Sequence, residues 1–240
     1  MAAPHLIAVK LSGALVDHRY IESTVFRALW QQTPAFLADH WTHRDLQADV
    51  EALRAEASAE RMSGRTDFVR IPPDEGDEAA RQACAEAVRR KIQEGRRTPA
   101  VVRLTGRILL AEMAAGRLRP QVYADARAAL QRWRDNGCAI VVYDEWSAEV
   151  QEAWLRTSVA GDLSGLVTRF TCLDEAETRE PRAYDAMARE LGLPARIATD
   201  RTFEALAATQ AGFEAVVLER GGVFGTAPHG LRVETNLLGV

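Results

Sequence analysis

The sequence predicts an α/β protein: a parallel sheet with crossover helices, interrupted after its first strand by a helical insertion. Three observations carry this reading. Leu6 to Lys10 is an apolar run with a charged end, broken at once by Leu-Ser-Gly, which reads as a first buried strand. From about Tyr20 to Gly116 the pattern changes to helical segments rich in Ala, Leu, Glu and Arg, with no convincing strand among them. After Tyr123, short apolar runs alternate with amphipathic stretches, the pattern of a parallel sheet and its crossovers.

Taken in order, the insertion carries helices such as 45–61 and 78–94, separated by a loop through Ile-Pro-Pro-Asp-Glu-Gly-Asp. The second half then reads as helix 124–136, strand 138–143, helix 147–158, a short strand 166–171, helix 181–191, strand 196–199, helix 202–211 and strand 214–218. Residues 1–16 and 117–240 are expected to form the α/β core, and 17–116 the helical insertion. Ligands of such sheets bind at the carboxyl ends of the strands. Function is therefore sought at Lys10 to Gly13, Asp144 to Ser147, and Thr199 to Asp200.

Composition narrows the class of partner. The 240 residues are 47% hydrophobic and 27% charged, near the globular average. A formal net charge of -4 leaves no basic excess for a phosphate backbone, so a nucleic-acid partner is not expected. The longest apolar runs are far below the roughly 20 residues needed to span a bilayer, and Met-Ala-Ala-Pro-His-Leu lacks the pattern of a signal peptide. Cys84, Cys138 and Cys172 are odd in number and form no CxxC pair, which argues for reduced thiols and a cytoplasmic protein without a membrane partner. Oligomeric state is not legible.

Spaced residues along the whole chain match a known family. Val9-Lys10-Leu11-Ser12-Gly13-Ala14-Leu15 stands where that family opens with a strand and Asp-Ile-Glu-Gly-Thr-Thr, and Pro34-Ala35-Phe36-Leu37 matches its Leu-Pro-Ala-Phe without a gap. Gly116, Leu118-Arg119, Val122-Tyr123 and Asp125 follow its Gly-Glu-Leu-Arg-Gly-His-Val-Tyr-Pro-Asp segment; Ala160-Gly161-Asp162-Leu163, Arg179-Glu180-Pro181 and Tyr184 match further on. The chain thus resembles the haloacid-dehalogenase superfamily, and within it the enolase-phosphatase of methionine salvage. The resemblance implies a Rossmann-like core with an inserted helical cap.

The resemblance fails at the residues that carry the chemistry. The family's first Asp is the nucleophile that forms an aspartyl phosphate, and an acidic residue two positions on handles the leaving group; Lys10 and Ser12 stand in those places. An ammonium cannot attack phosphorus, and a serine lacks the acid–base chemistry of a carboxylate. The family's phosphate-holding Tyr-Ser-Ser-Gly-Ser is replaced by Tyr143-Asp144-Glu145-Trp146-Ser147, and its phosphate-neutralising lysine falls on Thr178. Of its two carboxylate metal ligands only Asp200 is kept, with Glu204 nearby, and the cap segment Trp-Glu-Glu-Gly-Tyr falls on Leu109-Leu110-Ala111-Glu112-Met113.

Nucleophile, phosphate ligands and phosphate-binding cation have changed together in sign. Lys10 is expected near Asp144 and Asp200, in the space of the family's Mg²⁺, so neither metal nor cofactor is expected. One reading makes Lys10 an internal counter-ion. The other makes Lys10, Asp144, Glu145 and Asp200 a new acid–base site for an enolisable carbonyl substrate, with Ser12, His18, Tyr20, Trp146, Ser147 and Thr178 lining it and Lys10 retained as a cation. A repurposed lyase, isomerase or cyclase follows from the second reading; a non-catalytic binding or regulatory partner, or a residual phosphatase, are the alternatives. Trp30, Trp41, Trp133 and Trp154 read as helix core residues, Cys172 as a small buried one.

Overall fold

The computed structural model describes residues 5–73, 76–192, 194–221 and 230–240. Asp74 and Glu75, in the expected inter-helix loop, lie outside the described residues. The chain divides into two compact units, one of residues 1–21 with 119–240 and one of residues 22–118. Residues 17–21, assigned from sequence to the insertion, group with the sheet.

The sheet unit holds six parallel strands: β1 (Leu6–Lys10), β2 (Ala139–Asp144), β3 (Arg169–Cys172), β4 (Ala195–Thr199), β5 (Glu214–Leu218) and β6 (Arg232–Glu234), in the order β3-β2-β1-β4-β5-β6. All five residues of β1 are buried, as expected of a strand covered on both faces in a parallel sheet. Tyr143, Tyr184, Met187, Ala205, Ala208 and Phe213 share a core with Leu6, Ala8 and Ile197 of β1 and β4. The three-residue β6 was not legible in the sequence. Arg232-Val233-Glu234 is too short and too charged to show a period, and pairing with β5 makes it a strand.

Helices α1 (His18–Tyr20), α6 (Ala126–Asp135), α7 (Ala148–Arg156), α8 (Glu175–Thr178), α9 (Pro181–Leu191) and α10 (Thr202–Gln210) belong to this unit, and α2 (Phe26–His40), α3 (Arg44–Met62), α4 (Asp77–Gln93) and α5 (Pro99–Ala114) to the other. In α6 the buried set Ala126, Ala129, Leu130 and Trp133 falls at helical spacing, and Gly137 ends the helix with φ +75°. Pro181 starts α9 at a position where its missing N–H costs nothing. Trp133 and Trp154 are buried as expected.

The helical unit packs Leu37, Trp41, Leu46, Val50, Leu53, Val88, Val101 and Leu104 into its own core. Pro34 lies inside α2, where it cannot donate to the carbonyl four residues earlier. That carbonyl, of Trp30, accepts instead from the Arg89 guanidinium at 2.9 and 3.1 Å, and the same guanidinium sits 5.1 Å from the Trp30 ring. The buried Asp49 is likewise paired, by Arg103 at 3.0 Å and Arg107 at 2.6 Å. Among the described residues no helix is long and apolar enough to cross a membrane.

Candidate functional site

The chain lays β1, β2 and β3 to one side and then β4, β5 and β6 to the other, so the strand order reverses between β1 and β4. In open α/β sheets that reversal leaves a crevice at the carboxyl ends of the strands, where ligands bind. Lys10 ends β1 opposite Tyr143 of β2, Val9 pairs with Ala198, and Thr199 and Asp200 end β4. Residues from three distant segments are therefore brought together by strand pairing alone.

Lys10 is 5% exposed and its Nζ donates to Glu204 Oε1 at 2.7 Å. Glu204 is itself buried; its Oε2 accepts from the Tyr143 hydroxyl at 2.8 Å and the Thr199 hydroxyl at 2.5 Å. The ammonium also lies 5.2 Å from the centre of the Tyr143 ring. Burial pushes the Lys10 pKa down, but the charges of Asp144, Glu204 and Asp200 and the hydrogen bond to Glu204 outweigh it, so the pKa is raised above the ordinary lysine value. Lys10 is held as a cation at neutral pH, which disfavours the neutral amine that a nucleophile requires. Burial, followed by the Glu204 charge, holds the Tyr143 hydroxyl well above its ordinary range, so it stays protonated.

Asp144, 1% exposed, faces backbone donors: Oδ2 accepts from Ser12 N at 2.8 Å and Oδ1 from Trp146 N at 3.4 Å. Asp200 stands at the rim. Its Oδ2 meets His18 Nε2 at 2.6 Å, and its Oδ1 is buried with no hydrogen-bond partner among the described residues. The Ser12 hydroxyl is also buried and has none among them. Between Ser12 and Asp200 lies Gly13, with φ +90°; a Cβ there would come within 2.3 Å of the Asp200 carboxylate. Only glycine lets the backbone turn this close to that carboxylate.

Five of the sequence-expected residues thus converge: Lys10, Ser12, His18, Asp144 and Asp200. His18, expected near the entry to the insertion, is instead half-buried in α1 and held on Asp200. Others are committed elsewhere. The Tyr20 hydroxyl donates to the Arg119 carbonyl at 3.1 Å and its ring meets Trp154 edge-on, so it braces the sheet unit. Ser147 Oγ accepts from Val150 N at 3.3 Å as the N-cap of α7. The buried Thr178 donates to the Glu175 carbonyl within α8. Trp146 is buried, and its carbonyl accepts from Gln151 at 2.7 Å; Glu145 is half-buried, and its carbonyl accepts from the Cys172 thiol at 3.3 Å. Cys172 is exposed, a correction to its reading as a buried residue: β3 is the sheet edge on its side, with nothing to cover its last side chain. Because Ser147 caps a helix, Ser147→Ala should lower stability by about 1 kcal/mol in urea unfolding; a Ser147 that served only a ligand would leave the midpoint unchanged.

Thr199 lies at an expected strand end, but Glu204, expected only as a retained carboxylate near Asp200, is the direct partner of Lys10, and neither it nor Tyr143 was assigned a part in the site. A lone carboxylate in the otherwise apolar Thr-Phe-Glu-Ala-Leu-Ala-Ala start of α10 was the available signal, since a charge on a buried face needs a buried partner.

Comparison with known proteins adds the following. No family model matches the chain. The chain is 31% identical to the enolase-phosphatase E1 of Sorangium cellulosum, over 90% of this chain and 88% of that one, and 27% identical to the enolase-phosphatase E1 of Xenopus tropicalis, over 90% and 85%. Among solved structures, the UTR4 protein of Saccharomyces cerevisiae aligns with a TM-score of 0.71 at 14% identity over 98% of both chains. CbbY of Rhodobacter sphaeroides, solved in complex with phosphate, aligns with a TM-score of 0.60 at 17% identity over 98% of this chain and 95% of that one.

Proposed function

The chain belongs to the enolase-phosphatase family of the haloacid-dehalogenase superfamily, and from that premise we propose that it has lost phosphoryl transfer and acts without metal on a small, non-phosphorylated, enolisable carbonyl substrate. One observation carries the reading. At the end of β1, where the family places its nucleophilic carboxylate, this chain holds an ammonium bonded to Glu204. A nucleophile must offer an electron pair to phosphorus, and a protonated amine has none to offer.

The residues do not fit the Mg²⁺ that the superfamily implies. Lys10 replaces one carboxylate ligand and points a positive charge among Asp144, Glu204 and Asp200, and like charges at close range in a protein interior are costly. Both Asp144 oxygens already accept from backbone N–H groups. Among the described residues, no cluster of three or more His, Cys, Asp or Glu side chains is arranged to hold a metal ion.

What remains is suited to moving protons. His18 Nε2 lies 2.6 Å from Asp200 Oδ2, a contact that holds the ring in one orientation, as a general acid or base requires. Lys10 supplies a fixed positive charge toward which an enolate oxygen could develop. A second reading, a non-catalytic binding partner, is favoured by the internal partners that Lys10 and both Asp144 oxygens already have.

The test has two arms. An aryl phosphate and a diketo phosphate ester, each assayed with Mg²⁺, should show no turnover by the wild type or by Lys10→Asp. Hydrolysis that Lys10→Ala abolishes would overturn the proposal. In the other arm, NMR in D₂O should show enzyme-dependent exchange of the protons next to the carbonyl of a non-phosphorylated diketone, lost in His18→Ala. Absence of exchange across a panel of such ketones would favour the binding-partner reading.

A further inference from the structure

Two buried polar atoms of the site find no hydrogen-bond partner among the described residues: Ser12 Oγ and Asp200 Oδ1. Such atoms are costly to leave unsatisfied, and buried side chains of folded proteins nearly always find a partner in the protein, in water or in a ligand. Ser12 lies on the turn after β1 and Asp200 on the segment after β4, two neighbouring strands. Ser12, 4% exposed, is tied through its backbone N to Asp144, and the next residue, Gly13, packs against the Asp200 carboxylate so closely that no Cβ fits between them. Asp200 Oδ2 meets His18 Nε2 at 2.6 Å and lies 3.6 Å from Arg201 Nε, which leaves Oδ1 as the acceptor that neither group uses.

The electrostatics select the ligand's charge. Asp144, Glu204 and Asp200 surround the single ammonium of Lys10. Glu204 is used by Lys10, Tyr143 and Thr199, and Asp144 by two backbone donors, so the acceptor left over is Asp200 Oδ1. A carboxylate oxygen accepts and cannot donate, so the group that meets it must bring a hydrogen. A carboxylate or phosphate group brings no hydrogen and meets three carboxylates, Asp144, Glu204 and Asp200, against the two fixed cations Lys10 and Arg201; an ammonium brings up to three hydrogens together with a positive charge.

We propose that this turn is a binding site for a small organic cation, whose ammonium donates to Asp200 Oδ1 and whose neighbouring hydroxyl or carbonyl engages the Ser12 hydroxyl. The inference rests on the reading of the protein as an enzyme without phosphoryl transfer, and narrows its substrate to an amine-bearing carbonyl compound.

Three two-carbon probes of matched size separate the possibilities: ethanolamine, ethylene glycol and glycolate, carrying positive, zero and negative charge. Each is titrated into ¹⁵N-labelled protein at pH 7 while the backbone amides of Ser12, Gly13 and Arg201 are followed by NMR. Ethanolamine should shift these signals saturably in the millimolar range, and the other two should not. Asp200→Asn should weaken ethanolamine binding by about tenfold, as loss of a charge-assisted hydrogen bond does. Ser12→Ala, which leaves every charge and the bond from the Ser12 backbone in place, should weaken it by a smaller factor, so the test survives if the Asp200 variant fails to fold. Equal shifts from ethylene glycol, saturation by glycolate, or unchanged ethanolamine affinity in Ser12→Ala would overturn the inference and show that water satisfies these atoms. Aryl phosphate hydrolysis by the same samples would instead overturn the underlying loss of phosphoryl transfer, so the two failures are told apart.

Discussion

Lys10→Met should destabilise the protein by roughly 3–5 kcal/mol, the cost of removing one partner from a buried ion pair. The substitution keeps the length and much of the volume of the side chain, so little of the loss comes from a cavity. What it leaves is a buried Glu204 carboxylate with the Tyr143 and Thr199 hydroxyls but no counter-charge. The double variant Lys10→Met/Glu204→Gln should recover most of the loss, because a buried pair replaced on both sides is often nearly neutral. Urea unfolding of the wild type, both single variants and the double variant gives the coupling directly. A Lys10→Met loss below about 1 kcal/mol, typical of an exposed pair, would mean that the ion pair does not hold the site together.

The same pair sets a pH dependence. Lys10 has its folded-state pKa raised above the ordinary 10.5, so its contribution is fully present below that value and is lost as the pH rises through the folded pKa. The Tyr143 hydroxyl, raised above 10.0 chiefly by burial, acts in the same direction. Wild-type stability should therefore fall more steeply above pH 10.5 than that of Lys10→Met/Glu204→Gln, which lacks the titrating ammonium.

The organisation of the sheet was legible because β1, β2 and β5 are largely apolar runs bounded by breakers, and β5 and α9 fall within the limits expected, Glu214–Leu218 and Pro181–Leu191. The site was legible only in its backbone positions. Strand ends can be read from a sequence, and Lys10, Asp144 and Asp200 lie at them. Which carboxylate would take the ammonium cannot be read that way. Lys10 and Glu204 are 194 residues apart, and their meeting depends on β1 pairing with β4 and on the rotation of α10 that turns Glu204 inward. Helix caps misled in the opposite sense. Ser147 follows a strand end and looks like a ligand residue, yet a serine there is as well placed to start a helix, and it does. Tyr20 was assigned by its nearness to Lys10 along the chain and Thr178 by register, and neither says which backbone carbonyl lies within reach of a hydroxyl.

Gly13→Ala is expected to be the most damaging single-methyl substitution in the sheet unit. Two costs add. A non-glycine residue held at φ +90° loses about 1–2 kcal/mol to the clash between Cβ and its own backbone. The new methyl would also stand 2.3 Å from Asp200 Cγ and Oδ2, well inside contact distance, so the carboxylate must move, at a further cost of about 1–3 kcal/mol for an overpacked interior. Gly137→Ala isolates the first cost, since Gly137 has φ +75° and nothing within 4 Å of its Cβ position. The difference in unfolding free energy between the two variants then measures the clash alone. Moving Asp200 also takes Oδ2 away from His18, so the His18 ring signals in NMR should change in Gly13→Ala and stay fixed in Gly137→Ala. Adding Asp200→Ala to Gly13→Ala removes the obstructing carboxylate and should bring the cost back to that of Gly137→Ala, after allowing for the cost of Asp200→Ala alone. If instead Gly13→Ala and Gly137→Ala cost the same, with unchanged His18 signals, the Asp200 carboxylate is not pinned between the turn and His18, and the site lacks the rigid acceptor that its proposed chemistry requires.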